Sequence, residues 1–327
     1  MTRVAVIGAG LAGLVLARRL RDRADVTVVE KSRSLGGRMA TRRYGRYQFD
    51  HGAQYFRART EAFRAFVGPL IKQGVVAPWP ARVVDVADGK VLGEVAEEAE
   101  APPLVALPGM NGLGRHLAAG LRLKWQRPVA RVVHNRRCWR LLDEDDAVVT
   151  EADWVVVTAP APQAHRLLPE DFAGRGAVGA IGMSACFALM LGLRRKPLLD
   201  WQAARIRGSE IRWIAVDSSK PGRPAACSLV VHGTSDWSKA HMDEKPEEIE
   251  SVMIEAASEV TGDRLGEAEI CRLHRWRYAR ADTRTGPASF VDPDRRLAAC
   301  GDWCVDGRVE AAFTSAMDLA ASLEKIL

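Results

Sequence analysis

Two glycine-rich segments hold the residue types and spacings that could do chemistry. Gly8-Ala9-Gly10-Leu11-Ala12-Gly13 is a G-x-G-x-x-G set between an apolar run and an amphipathic one, the context in which this pattern binds a dinucleotide. Gly8 permits the tight turn, Gly10 lets backbone approach a pyrophosphate, and Gly13 lets a helix pack closely on a strand. The helix N-terminus then turns its amides and partial positive charge toward the phosphates. Glu30 closes the next apolar run, where its carboxylate can accept from ribose hydroxyls and repel a 2′-phosphate. FAD and NAD both use such a site. Gly36-Gly37-Arg38-Met39-Ala40-Thr41 discriminates between them, since a chain passing beside an extended FAD can supply amides and positive charge there, and a plain NAD dehydrogenase needs neither. FAD is the expected cofactor. No Ser-His-Asp order, zinc-ligand spacing or carboxylate pair demands another reaction, and Cys300 and Cys304, the one close cysteine pair, have no neighbouring histidine pair. The expectation is no metal and no catalytic side chain, with flavin N5 as the hydride acceptor.

These residues need particular elements to hold them. A strand Val4-Ala5-Val6-Ile7, the glycine turn, a helix to about Arg21 and a strand Val26-Thr27-Val28-Val29 ending at Glu30 form a βαβ opening. The apolar spacing of Phe63, Phe66, Leu70 and Ile71 predicts a helix within Tyr55 to Lys72. Pro78, Pro80, Pro102, Pro103 and Pro108 punctuate a stretch poor in regular signal. Short strands at 129–132, 139–142 and 154–157 suggest a small meander returning to the sheet. Residues 167–278 alternate β-rich pieces such as Cys227 to His232 with a helix from Pro246 to about Val260. At the end, a strand Leu297 to Gly301, Asp302 and a helix from about Val309 to Ile326 return to the opening theme. The fold expected is α/β: a Rossmann-like FAD-binding domain with a second, antiparallel-sheet substrate domain. The boundaries drawn are 1–56, 110–165 and 290–327 for the first, and 57–109 and 166–289 for the second.

The G-x-G-x-x-G, the acid at Glu30 and the G-G-R-x-x-T loop resemble the flavin amine oxidase superfamily. Within it, four further segments, Gly52-Ala53-Gln54-Tyr55-Phe56, Thr158 to Ala164, His274 to Arg280, and Cys300-Gly301-Asp302-Trp303-Cys304 with Gly307 to Glu310, resemble the bacterial renalases. That resemblance implies an FAD-dependent oxidase that returns isomeric 1,2- or 1,6-dihydro-NAD(P) to NAD(P)+ while O2 becomes hydrogen peroxide. It implies cofactor contacts at Gly8, Gly10, Ala12, Gly13, Glu30, Lys31, Gly37, Arg38, Ala53, Gln54, Val129, Gly301, Asp302 and Val309. The amide of Val309 would face the flavin N1–C2 carbonyl side, and Asp302 would accept from the ribityl or phosphate portion. Substrate contacts are implied at Tyr55, Phe56, Arg57, Ala58, Arg59, His274, Trp276, Arg280 and Trp303. The flavin-linking cysteine sequence of monoamine oxidases has no counterpart, so non-covalent FAD is expected.

Composition narrows the setting. With 327 residues, 47% hydrophobic and 27% charged, the chain can bury a large core, and it contains no apolar run long enough to span a bilayer. Six scattered cysteines and no secretory pattern point to a cytoplasmic protein. The formal charge of +6 is spread without aromatic interleaving, so no nucleic acid, membrane or protein partner is expected; the partners that the resemblance implies are a small dinucleotide and molecular oxygen. Two alternatives stay open. One is a flavin oxidase of a small amine, although only 4 tyrosines offer no clear aromatic pair to orient one. The other is a non-catalytic dinucleotide-binding redox sensor.

Overall fold

The computed structural model describes residues 1–96, 98, 100–281 and 286–327. The chain divides into two compact units, Met1–Arg38 with Leu113–Met183 and Arg280–Leu327, and Met39–Gly112 with Ser184–Ala279. In the first unit the apolar runs form a six-stranded sheet in the order Phe290–Asp292, Leu297–Ala299, Trp154–Val157, Arg3–Ile7, Asp25–Glu30, Arg122–Trp125. All neighbours are parallel except the first two, which are antiparallel. Strands buried on both faces read as continuous apolar runs, and for that reason Val4 to Ile7 and Trp154 to Val157 are Val-rich and fully buried. The helix Leu11–Leu20 packs against the C-terminal helix Val309–Leu323, and Arg19 meets Glu324 at 2.6 Å where they end.

The expected meander exists with different membership. Its strands are Arg131–His134, Trp139–Leu142 and Val148–Ala152, whereas Trp154–Val157 belongs to the main sheet beside Arg3–Ile7. Four consecutive buried residues suit a central parallel strand, and a meander with one solvated face would have alternated. The strand Leu297–Ala299 joins the same sheet beside Trp154–Val157, so this unit is assembled from three stretches of chain.

The second unit holds a seven-stranded sheet in the order Ile270–Ala281, Met183–Gly192, Ser228–Gly233, Ile211–Val216, Ala203–Arg207, Val83–Ala87, Lys90–Glu94. It is antiparallel where its pairing is resolved, except that Ala203–Arg207 runs parallel to Val83–Ala87. The helix Pro246–Thr261 buries Ile249, Met253, Ala256 and Ala257 against Ile214, Val216, Leu229 and Val231 on one face of that sheet. Three strands of the proline-punctuated stretch, Val76–Pro78, Val83–Ala87 and Lys90–Glu94, gave little signal because they are short and the last is exposed throughout. The hairpin Thr41–Tyr44 and Tyr47–Asp50 belongs to this unit, where Tyr47 and Phe49 pack on Met190 and Val230. The helix expected within Tyr55 to Lys72 starts at Glu61, capped by Thr60, whose Oγ1 accepts from the Phe63 amide at 3.2 Å. Residues 55–60 are extended instead, because Phe56 exchanges backbone hydrogen bonds of 2.9 and 2.7 Å with Leu104.

Gly13 is the tightest point of the first unit's opening. A Cβ there would lie 2.1 Å from the Gly8 carbonyl oxygen and 2.8 Å from Thr158 Oγ1, and the first of these is backbone that cannot rotate away. Gly13→Ala is expected to lower stability by about 1–3 kcal/mol or more. Gly176→Ala, in a short helix with open space at that Cβ, should be neutral or stabilising by up to about 1 kcal/mol. Thermal unfolding of the two variants beside the parent checks this, and equal midpoints for Gly13→Ala and the parent would refute the packing account.

Candidate functional site

In the first unit, glycines bring backbone against backbone. Gly8 has φ +111° and donates to the Val29 carbonyl at 2.8 Å. Thr158 Oγ1 sits beneath the turn and donates to the carbonyl of Ile7 at 2.9 Å. Gly10 is extended, precedes the helix Leu11–Leu20, and a Cβ on it would meet nothing within 4 Å. Open space at that glycine, beside the first helical amides, fits a phosphate cradle. The second glycine pair closes on the first: Gly36 donates to the Ala9 carbonyl at 2.9 Å, and a Cβ on Gly37, at φ +57°, would lie 3.2 Å from Gly10 Cα. The G-G step therefore exists so that two loops can touch by their backbones.

Glu30 is buried, and both its carboxylate oxygens are engaged. Oε2 accepts from the Ala9 amide at 2.7 Å and Oε1 from the Ser32 amide at 2.7 Å. Each oxygen keeps a further lone pair for a ribose hydroxyl. Arg38 and Asp302, assigned separate cofactor contacts from sequence, pair with each other through two hydrogen bonds, one of 2.9 Å. Both groups would then face a bound dinucleotide as one dipolar unit. Gly301 donates to Ser315 Oγ at 2.9 Å. Val309 opens the C-terminal helix behind Arg308, which supplies no side-chain cap. Lys31 donates to Gln163 Oε1 at 3.4 Å, and Val129 packs on the core. Trp303 is fully buried, stacks on Phe290 and donates to the Ala159 carbonyl at 2.9 Å, which makes it a core residue of this unit.

In the second unit, the segment after Asp50 rests on four buried charges. Arg223 binds Asp50 Oδ2 through two hydrogen bonds of 2.5 and 3.1 Å, and Lys220 Nζ lies 2.5 Å from Asp217 Oδ1 and 3.7 Å from Asp50 Oδ2. All four side chains are completely buried. Asp217 Oδ2 accepts the Asp50 amide at 2.9 Å, and Asp50 Oδ1 accepts from Thr41 Oγ1 at 2.6 Å and the Met110 amide at 2.9 Å. Burial alone would raise the Asp50 carboxyl, but Lys220 and Arg223, with those two donors, hold it below its ordinary value. Lys220 also donates to Gln54 Oε1 at 3.2 Å, while Gln54 Nε2 donates to the carbonyls of Asp50 and Gly52. The Gln54 amide is thus spent on shaping its own turn.

Beyond that turn, Tyr55 lies in a trio of rings, 6.1 Å from Trp79 and 5.9 Å from Trp213. Phe56 is buried against Phe63, and Ala58 is buried beside it. Arg57 stands over the Tyr55 ring and donates to the Ala101 carbonyl, and Arg59 grips Glu98 with two bonds of 3.0 Å. His274 and Trp276 are together with His51, at ring separations of 4.8 Å and 5.3 Å from it. The His51 carbonyl accepts from Trp276 Nε1 at 2.9 Å and from His232 Nε2 at 3.3 Å. A guanidinium can only donate, so Arg42, 3.0 Å from His274 Nδ1, finds that nitrogen unprotonated. Burial, with neighbouring positive charge, pushes His51 and His232 down to about 3 and His274 down to about 4. Trp79, Trp213, His51, His232, Arg42 and the charged quartet were not foreseen. Only Asp217-Ser-Ser-Lys220 carries a local hint, an acid and a base one turn apart, and nothing in it announces burial.

Comparisons with known proteins agree on the class. Residues 6–70 match the NAD(P)-binding Rossmann-like domain and residues 89–323 match the flavin containing amine oxidoreductase family. The chain is similar to renalase of Mus musculus, with 23% identity over 353 residues covering 100% of this chain and 99% of that protein. Its fold is similar to a putative protoporphyrinogen oxidase from Exiguobacterium sp. 255-15, with TM-score 0.79 at 13% identity over 100% and 99% of the two chains. It is also similar to cyclohexylamine oxidase from Brevibacterium oxydans, with TM-score 0.74 at 14% identity over 99% of both. Among the described residues no helix is long and apolar enough to cross a membrane, and no group of three His, Cys, Asp or Glu side chains is placed to hold a metal ion.

Two outcomes are expected. Lys220→Met leaves Asp217 buried without its cation and should cost about 3–5 kcal/mol. Arg194→Ala, which breaks an exposed pair with Glu269, should cost less than about 1 kcal/mol. Denaturant titration of both compares them, and similar small losses would mean that the quartet holds nothing. The second outcome concerns pH. Because the three histidines have folded values below the ordinary 6.5, the unfolded chain binds more protons between 6.5 and about 4. Their stabilising contribution is complete above 6.5 and is lost as pH falls through that window, by roughly 1.4 kcal/mol per pH unit for each proton. Unfolding midpoints measured at pH 7 and pH 5 should fall on acidification; a rise would contradict the burial of neutral imidazoles.

Proposed function

The chain belongs to the flavin containing amine oxidoreductase family, and from that premise we propose that it is an FAD-dependent oxidase of isomeric dihydronicotinamide dinucleotides. The reaction is dihydro-NAD(P) with O2 and a proton giving NAD(P)+ and hydrogen peroxide. The observation that carries this reading is the end-to-end similarity to a renalase, joined to a site with no general base to spare. His51, His232 and His274, pushed down to about 3, 3 and 4 by burial and neighbouring positive charge, hold a proton too weakly to serve as strong bases, and Asp50 and Asp217 are consumed by Lys220 and Arg223. A dihydropyridine needs no base, because it is already a hydride donor.

The first unit's residues fit a non-covalent FAD. Gly8, Gly10, Ala12, Gly13 and Gly37 would hold the pyrophosphate through backbone, Glu30 the adenosine ribose, and Arg38 with Asp302 the phosphate and ribityl portion. Bound there, FAD supplies a two-electron acceptor that O2 can regenerate. Ala53 and Gln54, cofactor contacts in the renalase resemblance, stand on the turn that Lys220 and Asp217 hold. Arg57 and Arg59, which pair with Glu98 at 3.9 and 3.0 Å, would be the donors for the dinucleotide's pyrophosphate. The aromatic trio of Tyr55, Trp79 and Trp213 is the one feature that favours a small amine as substrate.

The deciding experiment is anaerobic mixing of the purified yellow protein with a mixture of dihydronicotinamide isomers and, separately, with cyclohexylamine or putrescine. The dinucleotide should bleach the flavin absorbance, and readmitted oxygen should restore it with one hydrogen peroxide per NAD(P)+. Bleaching by an amine alone would replace this reading with the amine one, and no bleaching by either would leave a binding protein. Flavin should appear in the supernatant after acid precipitation; flavin on the pellet would contradict non-covalent attachment.

A further inference from the structure

Strand order in the first unit gives a bound adenosine a direction. The strands Arg3–Ile7, Asp25–Glu30 and Arg122–Trp125 are parallel neighbours in that order, and the last is the edge of the sheet. Ligands of such sheets lie outside the carboxyl ends of the strands. The open cradle at Gly10 follows the first strand, and the Glu30 carboxylate closes the second. In an adenosine phosphate the ribose stands between phosphate and base. A ligand with its pyrophosphate at Gly10 and its ribose at Glu30 therefore carries its base onward to the end of the third strand, one strand spacing of about 4.8 Å away.

Trp125 stands at that end. It is the register partner of Glu30, and register partners on parallel strands project to the same face. Lys124 before it turns to the other face, where its Nζ donates to the Val149 carbonyl at 2.6 Å. The strand stops after Trp125: Gln126 has φ +53°, a left-handed conformation uncommon for a residue with a side chain, and the Arg127 amide donates to the Glu30 carbonyl at 3.0 Å. Backbone on both sides thus keeps Trp125 beside Glu30. Of the nine tryptophans it alone is largely open, 53% exposed, the others being buried or half-buried. A lone exposed apolar residue needs no explanation; its place at the end of this line of strands is what calls for one.

We infer that Trp125 is the platform on which the adenine of FAD stacks, a specificity-determining residue that separates FAD from FMN. The inference rests on the FAD reading of the first unit and deepens it. The cradle and Glu30 are polar and address phosphate and sugar, whereas a purine presents a flat apolar face that an indole matches. The exposed side chains that follow, Gln126 and Arg127, are polar, so the indole is the flat apolar surface at this end of the edge strand. Phosphate, ribose and base are then read in turn along three successive strands.

The test titrates the full chain, freed of flavin, with FAD and with FMN, which lacks the adenosine, and reads binding from flavin fluorescence. Trp125→Ala should weaken FAD about tenfold and leave FMN as in the parent. Trp125→Phe, which keeps a flat ring, should recover most of the loss. Trp125→Leu keeps apolar bulk without a ring and should bind FAD as weakly as the alanine variant; it decides the matter should Trp125→Ala not fold. Unaltered FAD affinity without the ring, or equal losses of FAD and FMN, would overturn the assignment. So would a parent dimer that Trp125→Ala makes monomeric with FAD affinity unaltered, since the indole would then be a contact between copies. A parent that neither carries nor binds FAD would end the FAD reading itself, an outcome distinct from a parent that holds FAD without help from Trp125.

Discussion

The second unit is organised around a lysine that has nowhere else to put its charge. Lys220 is completely buried, and an ammonium taken out of water is tolerable only when every donor direction meets an acceptor. Asp217 and Gln54 provide two, and Asp50 Oδ2 adds an opposite charge at 3.7 Å, with the Trp79 ring at 5.3 Å. Because Asp217 also takes the Asp50 amide and Arg223 takes the Asp50 carboxylate, the hairpin Tyr47–Asp50, the loop after Asp217 and the turn at Gln54 are bound into one arrangement. Two positive groups oppose two negative ones, so no net charge is stranded. Such a network does little for stability beyond what an apolar core would do. Its consequence is geometric: the turn from Asp50 to Gln54 is tied by hydrogen bonds to Asp217 and Lys220, and the residues that follow leave from it.

The first unit uses an opposite device, the absence of side chains. Gly13 against the Gly8 carbonyl is a contact that a single Cβ would abolish, and Gly37, at φ +57°, brings its backbone close to Gly10. What remains exposed between them is backbone with its amides, and a carboxylate, Glu30, whose second lone pairs are uncommitted. Positive charge is matched rather than concentrated, since Arg38 is neutralised by Asp302. A cradle of this kind favours an extended pyrophosphate compound held by many modest hydrogen bonds, and it is consistent with the flavin chemistry of the family.

An aromatic surface by itself accepts either a cation or a flat ring. Around Tyr55 the chain supplies cations of its own, with Arg57 over the Tyr55 ring at 5.6 Å and Lys220 over the Trp79 ring at 5.3 Å. The trio of rings and the buried charges of the second unit are therefore parts of one arrangement.

Local pattern was sufficient for the opening βαβ unit, the return of the strand at Leu297 and the α/β class. In each, the determining contacts are short in sequence or are announced by uninterrupted apolar runs. Gly8, Gly10, Gly13 and Glu30 were legible for the same reason: their spacing is their geometry. Gly36 and Gly37 were legible as a motif but not as a contact, because the approach to Gly10 is a property of two loops. Tertiary structure alone decided the rest. That Tyr55 to Thr60 is extended, and not helical, was set by Leu104, whose backbone pairs with Phe56 across an intervening helix. That Trp303 is a core residue follows from the Ala159 carbonyl beside it. The meeting of Tyr55 with Trp79 and Trp213, of His51 with His232 and His274, and of Asp50 with Lys220 and Arg223 has no periodicity to betray it. Burial makes those charges and rings consequential, and burial is a property of the folded chain, not of any window along it.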